Sequence, residues 1–215
     1  MNQPIAIICN LLTDVVCERR KLQSRNAASS KKLLSLAKIL FSSDLVHPLI
    51  ISIGSGRCNK ILYDNAYTDT KYNFNILFLP FLSIPFLKTI VTSLSLLFCF
   101  FAQHQRFKYF FFYNYLPHYV PLLIVLRLFN QKIILEVDDS YSFSLDSFFK
   151  NPVLFIYFLI LESLIDFLAS HNTLFTANSY LSSVKSSFKH KRIFYHVYDC
   201  DRFYLAPDIN FELNI

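Results

Sequence analysis

A chain of 215 residues is long enough to bury the core of one domain, and its 24 Phe and 13 Tyr against only two Gly exclude a disordered polypeptide. The 21 Lys and Arg exceed the 15 Asp and Glu, and this formal charge of +6 favours an anionic membrane surface, nucleic acid or a phosphorylated substrate. The basic residues fall in short scattered groups without the signature of a nucleic-acid-binding module, so no nucleic-acid partner is expected.

Cys9, Cys17, Cys58, Cys99 and Cys200 form no CxxC pair, which argues against a disulfide framework or a zinc site and for buried free thiols in a reducing compartment. The amino terminus has no positive region ahead of an apolar run, so a signal peptide is not expected.

In chain order, Pro4 to Cys9 is an apolar run of strand length. A polar stretch from Thr13 to Ser30 follows, in which Ser29 or Ser30 is placed to cap a helix over about Lys31 to Phe41, with Leu33, Leu34, Ala37 and Leu40 at helical spacing. Pro48 to Ile53 is a second strand, ended by a Gly54-Ser55-Gly56 turn, and a polar connection runs on to Lys71. Asn75 to Leu79 reads as a strand, Ser83 to Gln103 as a helix, Phe107 to Tyr113 as a strand, Leu116 to Phe129 as a helix and Lys132 to Val137 as a strand. The alternation continues with a helix over Pro152 to Ala169, a strand from Thr173 to Ala177, a helix from Ser179 to Phe188 and a last strand from Arg192 to Val197. Seven apolar strands alternating with helices predict an α/β fold, a doubly wound and mainly parallel sheet.

Two apolar segments bear on a membrane. The uninterrupted stretch from Ile90 to Ala102 is shorter than the roughly twenty residues of a spanning helix, so a buried or interfacial helix is expected. Val153 to Ala169 carries Glu162 and Asp166 one turn apart, and is read as an amphipathic helix with its acidic face in water.

The densest polar group at a strand end is Glu136, Asp138 and Asp139. In an open parallel sheet, ligands bind beyond the carboxyl ends of the strands, where carboxylates accept hydrogen bonds from sugar hydroxyls or take a proton from one. A helix cap or a loop salt bridge is the structural alternative. Asn10, Thr13, Arg19 and Arg25 follow the first strand, ahead of a helix amino terminus that offers N–H groups to an anion. Neither GxGxxG nor GxxxxGK[ST] occurs, which argues against a dinucleotide or P-loop site. His118, after the fourth strand, is a candidate base among aromatics, and Asn178 sits at the same sheet edge as a ligand contact or a helix cap. The absence of a GxSxG elbow lowers hydrolase chemistry. No metal set is expected.

Three stretches carry a resemblance: Phe112-Tyr113-Asn114-Tyr115-Leu116-Pro117, then Lys132-Ile133-Ile134-Leu135-Glu136-Val137-Asp138-Asp139-Ser140-Tyr141, and Phe175-Thr176-Ala177-Asn178-Ser179-Tyr180-Leu181. Together with the order of units, they make the chain resemble the amino-terminal domain of bacterial GT-B glycosyltransferases of the large retaining group called family 4 or group 1.

The resemblance implies a Rossmann-like acceptor-side domain over residues 1–200. Residues 201–215 would then be an irregular tail or the start of a linker to a second, donor-binding domain. It implies that Asp138, Asp139 and the loop from Asn10 to Arg25 face the cleft between the two domains. The implied reaction is transfer of a sugar from a nucleotide sugar to a polysaccharide or lipid-linked acceptor. The nucleotide sugar would be a co-substrate of the complete enzyme, this domain itself binding no cofactor and being incomplete alone.

Asn10-Leu11-Leu12-Thr13-Asp14 replaces the family's glycine-rich first loop, a departure that bears on donor binding. The expected setting is cytoplasmic or peripheral at the inner face of the cytoplasmic membrane. The partners would be a separate donor-binding domain or chain and an anionic membrane surface. The alternatives are a non-catalytic carbohydrate- or partner-binding α/β subunit and a membrane-associated structural protein.

Overall fold

A computed structural model of the chain describes residues 3–22, 27–42, 46–58, 62–70, 74–103, 106–138, 151–170, 173–176, 188 and 190–193. Gln3–Cys9 (β1) forms the centre of the main sheet, pairing in parallel with Val46–Ser52 (β2) on one side and, across a gap of about a hundred residues, with Tyr109–Tyr113 (β7) on the other. Side chains alternate along it. Ile5, Ile7 and Cys9 enter one core, and Ala6 and Ile8 enter the other, as the period of two along a strand requires. Both faces are covered, which explains why the strand reads as a continuous apolar run.

The helices Asp14–Arg19 (α1) and Ala27–Ser42 (α2) cover the first face through Val16, Cys17, Leu33 and Ala37. Pro85–Gln103 (α3), Val120–Leu128 (α4) and Pro152–Ala169 (α5) cover the second through Leu96, Phe100, Leu123, Leu126, Leu161 and Ile165. A 3₁₀ turn over Pro117–Tyr119 leads into α4.

The remaining strands are Tyr63–Asp64 (β3), Tyr67–Asp69 (β4), Ile76–Phe78 (β5), Phe81–Leu82 (β6), Lys132–Val137 (β8), Thr173–Thr176 (β9) and His190–Ile193 (β10). The eight-stranded sheet runs β10-β9-β8-β7-β1-β2-β5-β4, parallel throughout except for β4, which is antiparallel to β5. β3 and β6 make a separate antiparallel ribbon. This is an α/β, doubly wound sheet. From β5 through β2 and β1 to β7, β8 and β9 it follows the Rossmann order, with its switch point between β1 and β7.

The seven strands expected from the sequence correspond to β1, β2, β5, β7, β8, β9 and β10. The additions β3, β4 and β6 are two or three residues long, too short to show a period-two signal, and β3 and β4 lie in the stretch expected to be a polar connection. The polar stretch after β1 contains α1, a six-residue helix capped by Thr13, whose side chain accepts from Val16 N–H. Because α2 begins at Ala27, Ser30 lies inside the helix and accepts the Leu12 N–H at 3.0 Å instead of capping. β10 begins two residues earlier than expected and ends at Ile193. The helix expected from Ser179 lies outside the described residues apart from buried Phe188, as do residues 201–215.

The largest reversal is in α5. Glu162 and Asp166 are 1% and 9% exposed, while Ile160 on the opposite side is 62% exposed. The acidic face therefore points inward. Apolar residues occupy every side of this helix, so their spacing selects no face; what selects one is the Tyr115 hydroxyl, which donates to Asp166 Oδ1 at 2.8 Å and would otherwise be buried without an acceptor.

One fully buried cation ties the strand ends together. Arg20 Nε donates to Asp64 Oδ2 at 2.9 Å, Nη1 to the carbonyls of Ile53 and Gly54 at 2.8 and 2.9 Å, and Nη2 to the Leu79 carbonyl at 2.6 Å. Burial lowers the Arg20 pKa, and the hydrogen bond and charge of Asp64 act against that. Gly54 has φ +56°, and a Cβ there would stand 2.7 Å from Arg20 Nη1, so glycine is required on both counts.

Arg20→Met takes from buried Asp64 one of its two arginine partners and from three carbonyls the guanidinium donor at once. The expected loss is about 3–5 kcal/mol of unfolding free energy, read as a lower urea midpoint at unchanged m-value.

Candidate functional site

The carboxyl ends of β7 and β8 bring together an acidic cluster on the α2 face of the sheet. Tyr113 and Glu136 are neighbours in the parallel register, and Asp138 follows two residues after Glu136, so both carboxylates point to the same side. Lys32, from the second turn of α2, reaches across to meet them: its Nζ lies 2.5 Å from Glu136 Oε1 and 2.6 Å from Asp138 Oδ1. The Tyr113 hydroxyl donates to Asp138 Oδ2, and the Lys32 ammonium stands 4.9 Å from the centre of the Tyr113 ring. Burial, with Asp138 as the next cause, pushes the Tyr113 phenol well above its ordinary value. It is a proton donor at neutral pH.

Asn114 holds the turn. It adopts φ +59°, a left-handed conformation that asparagine tolerates better than most residues. Its N–H donates to the Glu136 carbonyl at 2.7 Å, and its side-chain oxygen accepts the Asp138 N–H at 2.8 Å. The backbone at Asp138 is thus fixed from the neighbouring strand. Asp138 is part-exposed and Glu136 buried behind it, which makes Asp138 the carboxylate of the pair that is open to solvent.

The other expected residues are distributed differently. Asn10, part-buried, accepts the Ser55 N–H at 2.7 Å and donates to the Ser55 carbonyl at 2.8 Å, clamping the turns after β1 and β2 together. Thr13 is buried as the α1 cap. Ser52 Oγ accepts from Leu11 N–H and Gly54 N–H. Thr13 thus takes up one N–H of the α1 amino terminus, that of Val16, and Ser52 takes up loop N–H groups beside it. Arg19 pairs with Asp64 at 2.8 Å and lies 4.0 Å over the Tyr67 ring, joining the Arg20 hub and not the acidic cluster. Arg25, Asp139 and Asn178 lie outside the described residues.

His118 is buried in the 3₁₀ turn, and its Nδ1 has no hydrogen-bond partner among the described residues. Burial first, and the charge of Lys88 second, push the imidazole down to about 4. It is neutral at physiological pH.

Sequence reasoning missed Lys32, which belongs to one of the short scattered basic groups, and Arg20 with Asp64. No local signal marks Lys32 for this pairing, since Asp138 lies 106 residues further along the chain. Among the described residues no three His, Cys, Asp or Glu side chains converge in a way that could hold a metal ion.

No family model matches the chain, and no curated protein matches it. Among solved structures, the crystal structure of Acinetobacter baumannii MurG aligns over 92% of this chain and 69% of that one, at 8% identity and a TM-score of 0.31.

The low His118 value makes acid unfolding testable. The unfolded chain takes up a proton at this histidine below about 6.5, while the native state resists it down to about 4, so the group favours the folded state above this window and this contribution is lost as pH falls through it. Its share should make the protein about 2 kcal/mol less stable at pH 5 than at pH 7. In paired urea titrations, His118→Gln should show a correspondingly smaller difference between the two pH values.

Proposed function

We propose that the chain is the acceptor-side lobe of a GT-B-type sugar transferase, retaining in mechanism, which takes a nucleotide sugar as co-substrate and delivers the sugar to a polysaccharide or lipid-linked acceptor. The observation that carries this reading is the Lys32–Glu136–Asp138–Tyr113 cluster at the carboxyl end of β7 and β8, beside the switch point of a sheet in Rossmann order.

Fixed carboxylate oxygens at a sheet edge suit sugar hydroxyls, each of which needs an acceptor as well as a donor. Asp138 is part-exposed while it accepts from Lys32 and Tyr113, and the Lys32 ammonium offsets one of the two carboxylate charges. Asp139, the next residue, and Asn178, two residues beyond the end of β9, are further proposed contacts. The turn after β1 has no glycine, so this lobe lacks the close backbone approach that a bound pyrophosphate needs, and the donor belongs to a separate lobe.

Catalysis in such an arrangement comes from holding the acceptor hydroxyl in line with the donor and excluding water as the lobes close. We place the chain in the cytoplasm at the inner face of the cytoplasmic membrane, where lipid-linked acceptors are presented.

The same cluster supports a second reading, a carbohydrate-binding subunit without turnover, because both Asp138 oxygens are already engaged by the protein. The deciding experiment applies the purified chain to a glycan array and in parallel measures nucleoside diphosphate release from nucleotide sugars, with and without a donor-binding partner. Glycan binding that weakens about tenfold in Asp138→Asn is expected, since a hydrogen bond to a charged group contributes about 1.5–3 kcal/mol. Turnover only on adding the partner supports the transferase; binding with no turnover under any pairing leaves the binding subunit. Nucleotide-sugar binding by this chain with no glycan binding would sink both.

A further inference from the structure

The parallel strands begin at an edge whose charge is opposite to that of the acidic cluster at their far end. Where β1, β7 and β8 start, Arg106, Lys108, Asn130, Gln131 and Lys132 line a concavity of about 440 Å³. Three of these residues are cations, all of them exposed, and among the described residues no carboxylate lies in the wall. Ion pairs among the described residues engage Arg19, Arg20 and Lys32 and none of these three.

Like charges gathered around one hollow repel one another and raise its potential. Closing the end of α4 does not account for them. Basic side chains near a helix carboxyl terminus can bond to its last carbonyls, but here the backbone does so. Asn130 takes φ +50°, its N–H donates to the Arg127 carbonyl at 3.1 Å, and the Gln131 N–H donates to the Leu126 carbonyl at 2.9 Å. Nor does the Tyr109 ring balance them. The ammoniums of Lys108 and Lys132 stand 5.7 and 5.3 Å from its centre, an attraction to the ring quadrupole that orients both side chains and supplies no net negative charge.

The backbone that carries the cations is fixed. The Lys108 N–H donates to the Pro4 carbonyl of β1 at 3.1 Å, and Phe107 packs on Phe110 of the core with ring centres 6.1 Å apart. Lys132 is the first residue of β8, in register with Tyr109.

We propose that this hollow binds a small phosphate-bearing anion, a diphosphate or a phosphate ester, between Arg106, Lys108 and Lys132. A guanidinium presents a planar fork that matches two phosphate oxygens, the ammoniums add point charges, and the two carboxamides donate at the same rim. The volume is that of a small-molecule site, for which about 300–1,000 Å³ is usual. Lys132 opens β8 and Asp138 follows its last residue, which separates the hollow from the acidic cluster by about 20 Å at roughly 3.3 Å per residue. The two sites share no residue, and the anion site stands whether or not the cluster holds a sugar.

The test is isothermal titration of the full chain with inorganic pyrophosphate at low and high salt, with citrate as a polyanion that lacks phosphorus. One saturable site for pyrophosphate is expected, weaker at high salt. Lys108→Ala/Lys132→Ala should weaken it at least tenfold, and Arg106→Lys, which keeps the charge and removes the fork, should weaken it several-fold. Lys31→Ala/Arg57→Ala, which removes as much charge from two exposed residues outside the hollow, should leave it unchanged. Circular dichroism establishes that the variants fold.

Equal weakening by the two double variants would reduce the effect to diffuse attraction by the net charge and overturn the site. Citrate binding as tight as that of pyrophosphate would overturn the phosphate assignment, as would capture by phosphatidylglycerol vesicles with no response to pyrophosphate. Asp138→Asn should leave pyrophosphate binding unchanged while weakening glycan binding, so the anion site and the sugar site fail separately.

Discussion

Arg20 is the interaction on which this architecture turns. A guanidinium removed from water needs a counter-charge and acceptors for its donors, and it obtains them from Asp64 in the β3–β6 ribbon, from the Ile53 and Gly54 carbonyls beyond β2, and from Leu79 beyond β5. These segments converge because the cation has no cheaper solution. With Gly54 fixed, the adjoining Ser55 holds Asn10, and the turn beyond β1 is set in consequence. The described part of this irregular edge is therefore tied to the strands by specific hydrogen bonds, although few of its residues belong to regular elements.

The parallel strands were legible in the sequence because a sheet buried on both faces leaves short, unbroken apolar runs, as in Ile5–Cys9 and Ile133–Leu135. Helix positions in the second layer were legible for the same reason, but their orientation was not. In α5 nearly every side chain is apolar, and the one polar pair was assigned to water by default, whereas a hydroxyl on a distant turn required it inside. Short elements failed for lack of length: α1 has only Val16 and Cys17 as buried residues.

The candidate site was half legible. Glu136 and Asp138 stand out as acids at the end of an apolar strand, and strand geometry places them together. Lys32 comes from a helix more than a hundred residues earlier and has no local mark that predicts its partners. Asn10 and Thr13 illustrate the reverse: polar residues in a loop suggested a ligand, and their side chains bond to the fold itself. Two acid pairs consequently lie on opposite faces of one sheet, one sharing a single ammonium and open at Asp138, the other with Asp166 accepting from a phenol beneath a greasy helix.

The central position of β1 has a consequence for biogenesis. Its parallel partner β7 begins about a hundred residues downstream, with Ile5 opposite Tyr109, so during translation at about 5–20 residues per second the first strand waits about 5–20 s with one edge open. β2 arrives sooner and covers only the other side. Until the ribosome has delivered Phe110 to Phe112, the nascent chain exposes an apolar strand as an unpaired template for aggregation. Chaperone occupancy on the emerging polypeptide should concentrate in that interval.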